Sequence, residues 1–346
     1  MKGAHRARSR LTRRHLFGLA AVVAVPAAGA YGIQRLRDDQ KPAEAHTEAA
    51  APAASASVVP KAVATSGGTV PFRSGKALLG AYLDLSGLTQ AQAVALRKRQ
   101  TGRDERILQV FFDFYDTLPT QVAGLPEHAF PMVSWRGTAY SEITSGKSDD
   151  LIAKAARRLK AQGRPVLLRW AWEMNGDWYK WGAYRNGNDN KGFVQSWRRI
   201  HGIFADEGAD NVSWVWSPNW NSVPVREWNT YEALYPGDKY VDWVGVSGYN
   251  LHKEKPETLF DPIYEAFGAR KPIMICEVGA VDRGGSTKGE WITLLADWVE
   301  KHPAVGAVVF FDTDTHPGYD EKWRIDTNPD SLAAYVALAK RARFSG

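Results

Sequence analysis

Two glutamates each close an apolar run that is typical of a buried β-strand. Glu173 follows residues 166–172 (VLLRWAW), and Glu277 follows residues 273–276 (IMIC). A carboxylate at the end of a strand is held on a rigid element, and the ends of parallel strands meet at one face. One carboxylic acid that donates a proton and a second carboxylate that attacks carbon or activates water form the pair that glycoside hydrolysis requires. These two residues are therefore the candidate catalytic residues of the chain.

Four further residues are predicted to assist this pair. Arg169 should point the same way as Glu173, because side chains on a strand alternate between two faces. Trp172 and Asn175 flank Glu173 and are expected to orient it or to contact a sugar. Tyr249 closes another apolar run and is expected to orient a carboxylate. The alternative for Arg169 and Tyr249 is a buried polar group with a purely structural role.

The chain has 14 tryptophans, and all of them follow residue 134. Indoles at strand ends or in loops are predicted to receive pyranose rings on their flat apolar faces. These indoles are Trp135, Trp178, Trp181, Trp216 and Trp220. The tryptophans on helical apolar stripes are predicted to lie in the core, and they are Trp197, Trp291 and Trp298. Single-stranded nucleic acid also stacks on aromatic rings, but it requires a basic groove as well.

The excess of basic residues lies at the N-terminus. The formal net charge is +6, yet residues 1–37 hold eight of the 44 lysines and arginines and no acidic residue. The other 36 basic residues are balanced by 38 acidic ones, so the rest of the chain is nearly neutral. This distribution predicts that the protein has no nucleic-acid partner.

Residues 1–37 have the features of an export signal. The motif 12–17 (TRRHLF) carries twin arginines, an apolar run covers 16–25, and residues 28–30 (AGA) fit a small-x-small cleavage site. An uncleaved membrane anchor is the alternative, and in both cases the body is expected to be secreted or at the cell surface. Residues 38–72 are rich in alanine and contain four prolines, which predicts a disordered linker.

Beyond residue 72, apolar runs typical of strands alternate with helical patterns. Strands are predicted at 77–83, 107–114, 130–135, 166–173, 212–217, 243–249, 273–277 and 305–311. Helices are predicted at 88–100, 149–162, 192–207, 289–301 and 330–341, whereas the connections after the second and fifth strands are poorly helical. Eight such strands predict a single (β/α)8 TIM barrel at 73–346. An open doubly wound sheet is the competitor, but the chain lacks the glycine-rich nucleotide-binding motifs of that class.

The sequence indicates neither a cofactor nor a metal centre. The histidines are scattered, and the single cysteine, Cys276, excludes both an intrachain disulfide and paired thiolate ligands. Asp312, Asp314 and Asp320 lie close together in sequence without the spacing of an EF-hand loop. A solvated acidic loop is therefore predicted there, and a calcium ion is the alternative.

Four segments resemble the family-26 glycoside hydrolases, the β-mannanases and their relatives. They are 169–182 (RWAWEMNGDWYKWG), 214–219 (WVWSPN), 240–250 (YVDWVGVSGYN) and 271–279 (KPIMICEVG). The resemblance implies a retaining (β/α)8 glycosidase in which Glu173 is the acid/base and Glu277 is the nucleophile. Together with the export signal, the resemblance leads us to expect a secreted endo-β-glycosidase that cleaves a β-mannan or a β-glucan by double displacement. We expect it to act as a monomer and to need no cofactor.

One residue departs from the family pattern. Many members have a histidine immediately before the acid/base, where it contacts substrate, and this chain has Trp172. A β-glucan, a xylan or a microbial exopolysaccharide therefore stands beside mannan as the expected substrate. The alternative function is a barrel at the cell surface that binds glycan without cleaving it or that processes an exopolysaccharide.

Overall fold

The computed structural model describes residues 67–314 and 322–345. The predicted export signal and most of the predicted linker lie outside the described residues. Within the described ranges, none of the helices has the length and apolar character needed to cross a bilayer.

Eight parallel strands form a closed barrel in which each strand pairs with the next and the last pairs with the first. The strands are β1 (Leu78–Asp84), β2 (Ile107–Phe112), β3 (Phe130–Trp135), β4 (Val166–Trp170), β5 (Val212–Trp216), β6 (Trp243–Asn250), β7 (Ile273–Ala280) and β8 (Val305–Thr313). The closing pair runs in register from Leu78 opposite Ala307 to Asp84 opposite Thr313. The predicted TIM barrel is confirmed, and an open sheet is excluded.

Helices surround the barrel, and each helix buries one of its faces against the barrel. They are α1 (Gln90–Thr101), α2 (Tyr140–Thr144), α3 (Asp149–Lys160), α4 (Asn190–Asp206), α5 (Tyr231–Leu234), α6 (Pro256–Phe267), α7 (Thr287–Lys301) and α8 (Pro329–Lys340). Each of the five predicted helices is present within two residues of its expected ends. Helix α6 was not predicted, because it contains Pro262 in addition to the proline at its start and an internal proline normally breaks a helix.

The lower half of the barrel is filled by apolar side chains, including Leu78, Leu167 and Trp243. Residues 67–72, which the sequence placed in the linker, pack across this end. Val70 is fully buried, and the Trp243 indole donates a hydrogen bond to the Gly67 carbonyl at 2.7 Å. The barrel floor is therefore closed by the segment that precedes β1.

The aspartates that were predicted to form a solvated loop or a calcium site are instead paired with arginines. Asp312 is buried and accepts hydrogen bonds from Arg97 at 2.5 and 2.7 Å. Asp314 pairs with Arg324 at 2.8 Å, and Asp320 lies outside the described residues. The expected solvated loop is thus wrong for the two described aspartates, because burial of Asp312 is compensated by a guanidinium. The described residues contain no cluster of side chains that could hold a metal ion.

A buried carboxyl group lies just before β2, at the barrel end opposite the strand termini that carry Glu173 and Glu277. The Tyr335 hydroxyl donates to one oxygen of Glu105 at 3.0 Å, and the other oxygen is buried without a hydrogen-bond partner in the described ranges. Burial raises the pKa of Glu105 to about 7. This group should make the stability of the barrel depend on pH.

We expect Glu105→Gln to stabilise the protein above neutral pH and to have little effect in acid. The folded-state pKa of about 7 exceeds the ordinary value of 4.5. The stability that comes with the neutral carboxyl is therefore complete below the ordinary pKa and is lost as pH rises through the folded-state pKa. Urea unfolding near pH 4 and near pH 8 should show a gap between variant and wild type that widens by up to about 3 kcal/mol. A difference in unfolding free energy between variant and wild type that does not change with pH would contradict the inference that the Glu105 charge is buried without compensation.

Candidate active site

Glu173 does not lie in a strand, although the sequence predicted that β4 would reach it. β4 ends at Trp170, and the backbone then enters the left-handed region at Ala171 (φ 46°) and again at Glu173 (φ 54°). The Glu173 amide donates to the Ser217 carbonyl at 2.8 Å. Left-handed backbone is uncommon for residues with a side chain and concentrates at functional sites. The bend brings Glu173 over the barrel mouth, where the carboxyl ends of the strands meet.

Glu277 reaches the same mouth through an irregularity in β7. Ser247 pairs with Glu277 whereas Val246 pairs with Ile275, so Cys276 is an extra residue in β7. The Cys276 side chain lies in the barrel interior, and regular alternation would turn Glu277 outward. A bulge changes the face to which the next side chain points, and it therefore lets both residues point inward.

Two side chains contact the Glu277 carboxylate, and a third side chain contacts one of those two. One carboxylate oxygen forms an ion pair with the Arg169 guanidinium, and the other accepts a hydrogen bond from the Tyr249 hydroxyl at 2.5 Å. Arg169 also donates to the Ser247 hydroxyl oxygen at 2.6 Å. Burial, together with the charges of the nearby glutamates, raises the pKa of Tyr249 well above its usual range, so this phenol stays protonated as a donor. Glu277 is thus held as a charged, oriented acceptor.

Glu173 has a less polar environment, which favours its protonated form. Its carboxyl is buried and accepts a hydrogen bond from the Trp178 indole at 2.9 Å. Burial and then the negative charge of Glu277 raise the pKa of Glu173 to about 7, while Arg169 and a hydrogen bond with Ser247 act in the opposite direction. Two carboxyls in one site therefore have different partners, and this difference sets their roles.

Gly176 is required for the position of the Trp178 ring. A Cβ atom added to Gly176 would lie 2.3 Å from a carbon of that ring, which is closer than two non-bonded carbon atoms can approach. The small residue in the Glu-Met-Asn-Gly segment therefore allows the indole to turn back toward Glu173. Trp178 is buried, so in this conformation its indole acts mainly on the carboxyl rather than as an open sugar platform.

Asn175 joins the loop that carries Glu173 to the loop that follows β5. Its side-chain oxygen accepts from the Asn219 amide at 2.7 Å, and its side-chain nitrogen donates to the carbonyl of Asn219 at 3.0 Å. Asn175 is fully buried. These contacts hold the two loops together, and the orienting or sugar-binding role of Asn175 stays a prediction.

Trp172 and Trp181 lie beneath the mouth in an aromatic cluster. Trp172 lies 5.1 Å from Trp181 and 5.2 Å from Phe111 between ring centroids, and the Arg169 guanidinium lies 5.3 Å from the Trp172 ring. The Trp181 indole donates to the Trp172 carbonyl at 2.7 Å. Both rings are nearly fully buried, so they form the wall behind the carboxyl pair.

Trp135 and Trp216 are not brought to the mouth, although both were predicted to bind sugar. Their indoles donate to the carbonyls of Phe114 and Leu234, and both rings are fully buried. Trp135 packs toward Phe204 of α4, with ring centroids 6.4 Å apart. A sugar-binding role does not fit these positions between the barrel and its outer layer.

Ser247 is the functional candidate that the sequence reading missed. It is buried on β6, its hydroxyl oxygen accepts a hydrogen bond from Arg169 at 2.6 Å, and it lowers the pKa of the Glu173 carboxyl. Its position two residues before Tyr249 places both side chains on one face of the strand. The alternation of side chains along the strand is the feature of the sequence that indicates Ser247 as a partner of Tyr249 at the mouth.

Comparison with known proteins identifies the family. A model described as Glycosyl hydrolase family 26 matches residues 132–335. Endoglucanase H of Acetivibrio thermocellus is 34% identical over 267 residues, which cover 71% of this chain and 29% of that protein. Mannan endo-1,4-beta-mannosidase of Bacillus subtilis is 34% identical over 146 residues, which cover 39% of this chain and 36% of that protein.

This chain therefore matches only about a third of the length of these two relatives. A solved Bacillus subtilis mannanase structure is 23% identical with a TM-score of 0.54, and the match covers 76% of this chain and 85% of that one. This likeness supports the fold. The family match includes both glutamates of the mouth and most of the barrel, and the chain belongs to glycosyl hydrolase family 26.

Proposed function

We propose that this protein is a retaining endo-β-glycosidase that cleaves a β-linked polysaccharide of the β-glucan or β-mannan class. The observation that carries the proposal is the unequal environment of the two carboxyls. Glu277 is held by a guanidinium and a phenol, whereas Glu173 is buried against an indole with a pKa raised to about 7. A charged nucleophile and a protonated acid are what the first step of double displacement needs. A protein that only binds glycan has no use for one charged and one protonated carboxyl group in the same site.

In the first step, a Glu277 oxygen attacks the anomeric carbon and the glycosidic C–O bond breaks. Glu173 gives its proton to the departing oxygen, so the leaving sugar departs as a neutral alcohol. The Glu277 charge is consumed in the new ester bond. The Tyr249 and Arg169 donors stay beside this carboxyl group.

In the second step, Glu173 acts as a base. The negative charge of Glu277 is one cause of the raised Glu173 pKa, and the ester has no such charge. The pKa of Glu173 therefore falls in the intermediate, and the carboxylate can take a proton from water. That water attacks the anomeric carbon, the ester bond breaks, and Glu277 is released with its charge and with net retention of configuration.

The substrate class is tested by a reducing-sugar assay over mixed-linkage β-glucan, β-mannan, cellulose derivatives and xylan. The relatives named as an endoglucanase and a mannosidase lead us to expect release of reducing ends from the first two polymers. A fall in viscosity that precedes most of the sugar release would indicate internal cleavage. No release from any of the four polymers would reject the proposed activity.

We expect kcat/KM to fall as pH rises through about 7. The first step requires protonated Glu173, whose pKa in the free protein is about 7, and kcat/KM reports groups of the free enzyme. The profile is measured on one soluble polymer between about pH 5 and pH 9. An alkaline limb near the ordinary glutamate pKa would contradict the role of burial.

Ser247→Ala should move that alkaline limb to higher pH by roughly half a unit to one unit. The hydrogen bond with Ser247 lowers the pKa of Glu173, and one such bond contributes about 1 kcal/mol. Ser247→Thr keeps the hydroxyl and is the control that should restore the wild-type limb. An unchanged profile in the alanine variant would mean that Ser247 does not lower the pKa of Glu173.

We further propose that the N-terminal 37 residues direct export by the twin-arginine route. The twin-arginine motif and the apolar run that follows it support this proposal. Replacing Arg13 and Arg14 by lysines should keep the protein in the cytoplasm, as fractionation and immunoblotting would reveal. Unchanged export of this variant would reject the route.

A further inference from the structure

An exposed aromatic ring lies on the flank of the mouth, outside the carboxyl site. Tyr115 follows β2 and is 56% exposed. The residue comes from the same end of the barrel as Glu173 and Glu277, because the carboxyl ends of the parallel strands share one face. Nothing in the proposed mechanism uses this side chain.

Neighbouring side chains hold the Tyr115 ring in one orientation. Its hydroxyl donates to Glu142 at 2.5 Å and lies 3.2 Å from the Thr138 hydroxyl. Phe114 packs edge-on at 5.2 Å, and the Lys180 ammonium lies 5.6 Å from the ring centroid. The polar end of the side chain is thus already occupied, and a flat apolar face is left in solvent. A rigid aromatic face binds a ligand with little loss of conformational entropy.

A pocket of about 270 Å³ adjoins this ring, between the loop after β2 and one face of α3. Besides Tyr115, its polar lining residues are Asp116, Thr117, Asp150, Lys154 and Arg158. Two carboxylates and two cations give this lining no net charge. Asp150 and Lys154 make no ion pair with any described residue and can therefore bond a ligand. The pocket therefore combines an aromatic face with hydrogen-bond donors and acceptors whose charges cancel. This combination suits an uncharged ligand that is rich in hydroxyl groups.

We infer that Tyr115 and this pocket form a second glycan-binding site, separate from the site that cleaves. The ring of Tyr115 packs against the apolar face of one sugar unit, and Asp150 and Lys154 bond its hydroxyls. The ligand is another stretch of the polysaccharide that the mouth cleaves, so the identity of the ligand rests on the proposed function. The site raises the residence time of the enzyme on long chains and does not act on short ones.

The test compares Tyr115→Ala with Tyr184→Ala in the full chain. Tyr184 is a matched control, because it is another exposed tyrosine, at 44%, outside the pocket. Migration is measured in native gels that contain β-glucan or β-mannan, and kinetics are measured on the polymer and on a short oligosaccharide. We expect only Tyr115→Ala to lose retardation and to raise KM for the polymer, roughly three- to tenfold. Its kinetics on the oligosaccharide should match those of the wild type.

Two further variants separate binding from folding. Tyr115→Phe keeps the ring and should retain the retardation, and Lys154→Ala alters the pocket without touching the ring and should weaken it. Thermal unfolding shows whether each variant is folded. Wild-type behaviour of Tyr115→Ala on both polymers would overturn the inference, as would an equal loss on the short oligosaccharide. Retardation that depends on Tyr115 in a protein that hydrolyses nothing would uphold this site and reject the proposed function instead.

Discussion

Glu277→Gln is expected to lower kcat on a polysaccharide by roughly four orders of magnitude or more, because the ester intermediate cannot form. Glutamine is preferred to alanine for this test. Arg169 is fully buried against Glu277, and removing one partner of a buried pair leaves an uncompensated charge that costs about 3–5 kcal/mol. The amide oxygen of glutamine can still accept a hydrogen bond from Arg169 or Tyr249. Initial rates of reducing-sugar release give the result.

The matched control for this variant is Glu105→Gln. It makes the same chemical change in another buried carboxyl, at the opposite end of the barrel, and should keep wild-type activity. Retardation of Glu277→Gln in a gel that contains the polymer should persist, since binding does not need the nucleophile. Activity of Glu277→Gln close to that of the wild type would remove Glu277 from its assigned role.

The barrel could be predicted because its pattern is carried by many residues at once. Eight apolar runs and the helices between them each tolerate an error of a few residues, and the closed sheet follows from their number and order. The two candidate carboxylates could be predicted because each stands where an apolar run ends. Neither inference depends on the detailed path of the backbone.

The local geometry of the site could not be predicted, because tertiary contacts determine it. Nothing in the sequence around Ala171 and Glu173 signals left-handed backbone, which neither residue type favours. Hydrogen bonds from neighbouring strands hold this path, including the one between the Ala171 amide and the Trp135 carbonyl. The bulge at Cys276 likewise depends on pairing with β6. Each feature changes the face to which a candidate catalytic side chain points.

The register between β3 and β4 explains why Trp135 points away from the mouth. Side chains on neighbouring parallel strands share a face when their residues are in register. Ser134 lies opposite Arg169, and Trp135 lies opposite Trp170. Since Arg169 points into the barrel, Trp135 must point out with Trp170. A ring near a strand end is therefore a candidate for binding sugar only if it lies on the same face of the sheet as a residue that points into the barrel.

Glu173→Ala is expected to lose most activity on natural polymers and much less on substrates that need no acid. A sugar alkoxide is a poor leaving group unless it is protonated, and general acid catalysis contributes roughly a hundredfold to ten-thousandfold. An activated aryl glycoside releases a stable phenolate without that proton. Formation of the Glu277 ester should therefore survive in this variant when the leaving group is good. Rates on the polymer and on the aryl glycoside, each relative to wild type, measure the difference.

The second half of the reaction gives an independent measure of the same residue. Without Glu173 no base activates water, so the ester should accumulate and the aryl glycoside should show a burst of phenolate followed by slow turnover. Azide is a nucleophile that needs no base, and it should speed turnover and yield a glycosyl azide with the β configuration of the substrate. That product requires two successive displacements, the first of them by Glu277. An α-glycosyl azide, or equal losses on the polymer and the aryl glycoside, would contradict Glu173 as the acid/base of a retaining enzyme.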